Sequence, residues 1–219
     1  GMSRAIVSCS PWFADAALYE LRRFLPDVSF VDQPAPGILL IEFPFSFDKL
    51  TLPWRHKLPI YLHHAFPVHH ITALQNNPAD LPRLCHLIRT FAPPDAILQV
   101  RSTVEDVLRF SPADVHHVIA PDQPLYPSHP PAGRVLSILL TGSSAALTAY
   151  VGISWASQNL SPFTGGQMPF TQPVSNRAGF KLLEALAAFE IRLHKGTRVL
   201  DLGAAPGAWT TLLRQRGMR

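Results

Sequence analysis

The chain has 219 residues, 47% of them apolar and only 16% charged, which is enough apolar material to bury a sizeable core in one or two domains. No apolar run approaches the roughly 20 residues that cross a bilayer, and two distant cysteines, Cys9 and Cys85, supply neither a disulfide framework nor a zinc site, so a reduced, cytoplasmic protein is expected. The formal net charge of +4 is uneven, with 11 Lys and Arg against 12 Asp and Glu up to Ser175 and 8 against 3 from Asn176 onward. The longer N-terminal part has no general attraction for phosphates, and any nucleic-acid surface there must be local.

Ala5 to Cys9 reads as a strand, followed by Ser10-Pro11 as cap and first-turn proline of a helix carrying Trp12, Phe13, Ala16, Ala17, Leu21 and Phe24. Val28 to Val31 and Gly37 to Phe43 are β-rich and flank Gln33-Pro34-Ala35-Pro36, which predicts a β-α-β-β unit whose helix covers one sheet face. A second α/β segment is expected from about Leu52, with strands at Ile60 to Phe66 and Val68 to Leu74 interrupted by Pro67. Asn77-Pro78-Ala79-Asp80 opens a helix to about Phe91, Ile97 to Arg101 is a further strand, and Ser111-Pro112-Ala113-Asp114 repeats the capped helix start. Beyond a proline-rich loop from Pro121 to Pro131, the apolar runs Arg134 to Leu140 and Leu147 to Ile153 form a hairpin across Thr141-Gly142-Ser143-Ser144.

Trp155 to Val174, rich in Ser, Asn, Gln, Pro and Gly, reads as an irregular connector. Phe180, Leu182, Leu183, Leu186 and Phe189 then make a helical stripe within Asn176 to Glu190, and His194-Lys195-Gly196 turns into a strand from Thr197 to Leu202. That strand ends at Asp201 and runs through Gly203-Ala204-Ala205-Pro206-Gly207-Ala208-Trp209 into a helix. Glycines there let the backbone bend sharply and approach a ligand, while the helix start presents free amides to a carboxylate or phosphate. Asp201, at the strand's carboxyl end, suits a cationic group such as an amino group better than a pyrophosphate. The third glycine and the later acid of a dinucleotide fingerprint are missing, which speaks against a nicotinamide cofactor.

The segment Ser175-Asn176-Arg177-Ala178-Gly179-Phe180-Lys181-Leu182-Leu183, followed by this glycine turn, resembles the FtsJ-like family of S-adenosylmethionine-dependent RNA 2′-O-methyltransferases. The family pattern is Ser-Arg-Ala-x-x-Lys-Leu ahead of Asp-Leu-Gly-Ala-x-Pro-Gly-Gly-Trp; here Asn176 stands for the serine and Ala208 for the second glycine of the pair. The resemblance implies S-adenosylmethionine as cofactor, with Asp201, Gly203, Ala204, Ala205, Pro206, Gly207, Ala208 and Trp209 around it. It also places Lys181 at the first lysine of the family's Lys-Asp-Lys-Glu tetrad, where an ammonium would stabilise charge developing on a ribose 2′-oxygen. The remaining tetrad members and the acid that holds the cofactor ribose are expected beyond Arg219, so the chain by itself is expected to be catalytically incomplete.

Upstream, Trp155-Ala156-Ser157-Gln158-Asn159-Leu160-Ser161-Pro162-Phe163 and the order of parts look like the RlmM-type ribosomal RNA methyltransferases, in which a THUMP-like RNA-binding region precedes the catalytic domain. The expected fold is therefore α/β, with an α+β THUMP-like region over 1–154, a connector over 155–174, and the start of a Rossmann-like class I methyltransferase domain over 175–219. The implied partner is RNA, ribosomal RNA first, with no membrane. Two alternatives stay open: a non-catalytic RNA-binding or protein-interaction module, and another class I methyltransferase with a non-RNA substrate. Val199, Leu200 and Leu202 on a parallel-type strand call for cover on both faces, so they are expected to pack on the N-terminal region or to drive self-association.

His63-His64 and His69-His70 form two pairs with His56 nearby, and His116-His117 a third. Adjacent histidines on a strand point to opposite faces and no acid or cysteine accompanies them at zinc spacing, so they are read as partly exposed or RNA-facing side chains, with no metal site assigned.

Overall fold

The computed structural model describes residues 1–125, 131–161, 163–166 and 177–219. They fall into two compact units, Gly1–Gln167 and Met168–Arg219.

In the first unit, β1 (Ser3–Cys9), α1 (Ala14–Phe24), β2 (Ser29–Ala35), β3 (Ile38–Phe43), α2 (Phe47–Thr51) and β4 (Leu62–Val68) build one half. The strands form an antiparallel sheet in the order β2-β3-β1-β4. The helix α1 forms because Ala17 and Leu21 fall one turn apart on a buried face, Asp15 sits in its first turn and Arg22 and Arg23 in its last. It stops at Leu25, which precedes Pro26 and cannot hold a helical conformation comfortably. Its buried face meets Ala5, Val7, Leu39, Ile41 and Phe43 on the sheet. Each such large apolar side chain contributes about 1.5–3 kcal/mol relative to exposure.

The other half contains β5 (His70–Leu74), α3 (Asp80–Phe91), β6 (Ile97–Ser102), α4 (Pro112–Ile119), β7 (Arg134–Gly142) and β8 (Leu147–Trp155), with strand order β5-β8-β7-β6. Only β6 and β7 are parallel, and α4 is part of the crossover that joins them. Helix α4 begins on a capping box in which the Ser111 hydroxyl accepts from the Asp114 amide while the Asp114 carboxylate accepts from Ser111 N–H. Leu84, Ile88 and Val115 on the helices cover Leu98, Leu136, Ile138, Leu140, Ala149 and Val151. Asn76 is fully buried at φ 55°; its amide donates to the carbonyls of Val107 and Ser144 and its oxygen accepts from Arg109 N–H, tying three loops together.

The two sheets meet face to face. Ile6, Ile38, Leu40, Phe66 and Val68 of the first pack on Leu139 and Tyr150 of the second, leaving helices on the two outer faces. The inner strands β1, β3, β7 and β8 are thus covered on both faces and read as near-unbroken apolar runs, whereas the edge strands β2 and β5 keep exposed positions. Gly152 of β8 lies hard against β4: a Cβ there would stand 1.6 Å from the Pro67 carbonyl oxygen.

Two expectations are corrected, the start of the second half and the exposure of His64. The second half does not start near Leu52, because Leu62–Val68 joins the first sheet as its edge beside β1, where Pro67 can lack an N–H without breaking a ladder, and the crossing to the second sheet comes at His69. The described part of the connector from Trp155 is seated on the first unit, with Asn159 buried, its carbonyl accepting from Ala65 N–H and its side chain from the Ser154 hydroxyl, and Gln158 bonded to Asp48. Pro162 and residues 167–174 of that connector lie outside the described residues, as does the 126–130 part of the proline-rich loop. His64 is buried at 3% exposure, not an exposed histidine, because the strand's alternation sends it between the sheets while His63 faces solvent.

In the second unit, α5 (Arg177–Ala188) and α6 (Ala208–Gln215) form as the apolar stripe predicts. The strand expected from Thr197 to Leu202 does not form. Its backbone bonds among the described residues are Thr197 N–H to His194 O, Val199 N–H to Arg219 O and Arg219 N–H to Thr197 O, too few for a ladder. Leu200 and Leu202 are 80% and 83% exposed. No helix among the described residues is long and apolar enough to cross a membrane.

Candidate active site

The glycine turn carries the geometry that its composition promises. Gly203 has φ 77° and Gly207 φ 95°, both in the left-handed region where a side chain would be strained. A Cβ at Gly203 would meet nothing within 4 Å, and at Gly207 only the Ala204 oxygen at 3.9 Å, so it is backbone conformation and open space that glycine supplies here, not relief from crowding. Gly207 caps α6, whose Thr211 N–H closes the first turn onto the Gly207 carbonyl at 2.8 Å. The amides at this helix start have the positive end of the helix dipole behind them.

Asp201 accepts a 2.7 Å hydrogen bond at Oδ2 from the Thr210 hydroxyl. Sequence reasoning did not single out Thr210, which stands one residue after Trp209 on the first turn of α6. The bond orients the carboxylate beside the turn. The Trp209 indole N–H donates to the Ala178 carbonyl at 2.6 Å. Ala178 lies one turn before Lys181 on α5, so this bond fastens the helix that carries Lys181 to the helix that leaves the glycine turn. Lys181 itself is exposed.

Ala204, Ala205, Pro206 and Ala208 complete the turn, with Ala205 and Pro206 exposed and Ala204 and Ala208 half-buried. The structure thus brings Asp201, the turn and Trp209 together, and ties Lys181's helix to them. Ser175 and Asn176, which open the family-like pattern, lie outside the described residues.

A family model described as FtsJ-like methyltransferase matches residues 174–219. The match covers the glycine turn and the helix on either side of it. Among curated proteins, the chain is 42% identical over 82 residues to the Ribosomal RNA large subunit methyltransferase M of Shewanella sediminis, covering 34% of this chain and 22% of that protein. It is 43% identical over 79 residues to the protein of the same name from Pseudoalteromonas translucida, covering 32% and 22%. The chain therefore spans about a fifth of the length of these relatives. Among solved structures, TrmN from Thermus thermophilus aligns with 99% of this chain and 62% of that one, at 15% identity and a TM-score of 0.49.

The cofactor of the FtsJ-like segment is S-adenosylmethionine, and the residues present fit one end of it. Asp201 would offer a carboxylate oxygen to an amino group, and the open backbone at Gly203 beside the α6 start would leave room for a carboxylate.

Elsewhere among the described residues, no three His, Cys, Asp or Glu side chains are grouped to hold a metal. Cys9 and Cys85 are both buried and unbridged, and burial raises the Cys9 thiol's pKa, away from reactivity.

Proposed function

We propose that this chain is part of an enzyme that transfers a methyl group from S-adenosylmethionine to a ribose 2′-hydroxyl of ribosomal RNA. The observation that carries the reading is the pair of bonds from adjacent residues of α6, Trp209 to Ala178 and Thr210 to Asp201. Together they hold the cofactor-type turn and the Lys181 helix in one arrangement.

In that reading S-adenosylmethionine, when bound, would supply an electrophilic methyl group to the ribose 2′-oxygen. Lys181 stabilises the oxygen as negative charge builds, Asp201 fixes the cofactor's amino group, and Gly203 through Ala208 cradle its backbone-facing end. The N-terminal unit serves as a THUMP-like RNA-recognition region, and its contacts with RNA are local because its charges nearly balance. The chain spans about a fifth of the length of its curated relatives, and in this reading it is inactive by itself. The ribosomal RNA assignment follows the relatives' names, and the 2′-oxygen assignment follows Lys181.

The test is calorimetric titration of S-adenosylmethionine into this chain and into the same chain extended through its downstream sequence, followed by methylation of ribosomal RNA and mass mapping of the product. Binding by the extended chain with methyl on a ribose supports the reading; methyl on a base overturns the 2′-oxygen assignment. Lys181→Ala in the extended chain should lower kcat by about 10²–10³ while leaving cofactor affinity unchanged.

A further inference from the structure

Helix α1 buries one face and leaves the other uncovered. Ala17 and Leu21 point into the core, whereas Trp12, in the turn that leads into the helix, is 90% exposed and Tyr19 70% exposed. The loop over 56–61 extends this surface. Both carboxylate oxygens of Glu20 accept backbone N–H bonds from it, Oε1 from Ile60 at 2.7 Å and Oε2 from Tyr61 at 3.0 Å. The Phe13 ring lies 5.6 Å from that of Tyr61, and Lys57 Nζ stands 5.8 Å from the centre of the Phe24 ring. Phe13, Glu20 and Phe24 thus fasten the loop along α1, with Leu58 and Ile60 left exposed on the outside. A contiguous exposed apolar surface of this kind marks an interaction site.

Positive charge gathers on the same surface. Pro11–Phe24 and residues 55–61 hold Arg22, Arg23, Arg55 and Lys57 against Asp15 and Glu20, while the rest of the chain up to Ser175 has 7 Lys and Arg against 10 Asp and Glu. All four cations are exposed, and none belongs to the ion pairs of the described residues, which are Arg4 with Glu42, Arg83 with Asp80 and Arg134 with Asp95. Arg22 and Arg23 occupy the last turn of α1, and Lys57 reaches Phe24 at that same end. Flat rings therefore lie along the helix with cations at its end.

We propose that this surface binds a single-stranded segment of RNA, its bases stacked on Trp12 and Tyr19 and its phosphates at Arg22, Arg23, Arg55 and Lys57. Aromatic faces stack on any unpaired base, whereas the bases of a duplex are stacked on one another and out of reach. Four cations favour this partner over an apolar protein surface, which would desolvate them and give nothing in return. The inference rests on the reading of the chain as part of an RNA methyltransferase, and it supplies the local contact that a unit of nearly balanced charge requires.

Fluorescence anisotropy of the full chain tests it without S-adenosylmethionine, using a fluorescein-labelled single-stranded RNA of about 12 nucleotides and the same strand paired to its complement. The single strand should bind more tightly than the duplex. Trp12→Ala and Tyr19→Ala should each weaken its binding about tenfold. Arg23→Gln should make the fall of log affinity with log salt shallower by about 0.7. All three side chains are exposed, so the variants should keep the parent's Tm. Unchanged affinity in both ring variants would assign RNA binding to the basic residues from Asn176 onward and overturn the proposal, as would a preference for duplex. A chain that leaves RNA unbound but self-associates through Trp12 overturns it in favour of a protein contact. Ring-dependent RNA binding in a chain whose extended form transfers no methyl group supports this surface and removes the methyl-transfer reading; ribose methylation with no ring dependence does the reverse.

Discussion

The two units divide stability and chemistry between them. In the first, every strand of both sheets has partners, helices cover the outer faces, and the inner faces cover each other. In the second, only Leu183, Leu213 and Met218 are buried among the described apolar residues, while the residues that carry the proposed chemistry sit on an open turn held by a few hydrogen bonds. Chemical signature and core are therefore separable. A dozen residues suffice to mark a cofactor-type turn, but a core requires layers on both sides.

The sharpest contrast comes from emptying the first core. Phe43 is fully buried on β3, at the centre of the cluster that includes Leu21, Ile41 and Leu50, so Phe43→Ala should cost about 3–5 kcal/mol in denaturant unfolding of the full chain. A loss below about 1 kcal/mol would show that the first unit is no better packed than the second and erase the distinction.

Next in size is a pH effect that only the first unit should show. The His64 pKa is lowered from 6.5 to about 4, chiefly by burial and secondarily by Arg101, with the carbonyls of Ser161 and Asn159 opposing. The folded state thus favours the neutral ring, and the unfolded chain binds the proton more readily. Stability from this group is complete above about pH 6.5 and falls progressively as pH drops toward 4, by about 3 kcal/mol at most. Unfolding free energies between pH 7 and 4 should show this slope in the native chain and a shallower one in His64→Gln. Identical slopes would mean that His64 is protonated, or accessible, in the folded state.

How far each unit was legible in the sequence follows the same division. Helix starts with local chemistry were readable: Ser111-Pro112-Ala113-Asp114 announces its own cap, and the α1 stripe its own buried face. The glycine turn was readable because Gly203 and Gly207 are dictated by backbone conformation, which is local. What was not readable depends on partners distant in sequence. Leu62–Val68 could not be assigned to the first sheet without its register against β1, and the burial of His64 could not be seen without the second sheet lying over it. Thr197 to Leu202 has the residues of a strand and no strand beside it, so its pattern failed for want of a neighbour.

A milder pair of changes compares hydrogen bonds in the two units. Ser111→Ala removes the cap of α4 and should cost about 1 kcal/mol. Trp209→Phe deletes the bond to the Ala178 carbonyl and should leave global unfolding of the first unit untouched, while amide exchange speeds up in α5 and α6. Exchange that accelerates across the sheets of the first unit as well would mean that the two units unfold as one.

The smallest effect is the most telling. Leu202 is a large apolar side chain, yet at 83% exposure its replacement by alanine removes almost no buried surface, so Leu202→Ala should change stability by no more than about 0.5 kcal/mol in this chain. In the chain extended through its downstream sequence, the proposed neighbouring strands would bury the same side chain, and the same substitution should then cost about 2–5 kcal/mol. The comparison turns one exposed leucine into a gauge of whether the missing layers exist. A cost that stays small in the extended chain would leave residues 197–202 without a sheet, and the cofactor-type turn without the strand that is meant to support it.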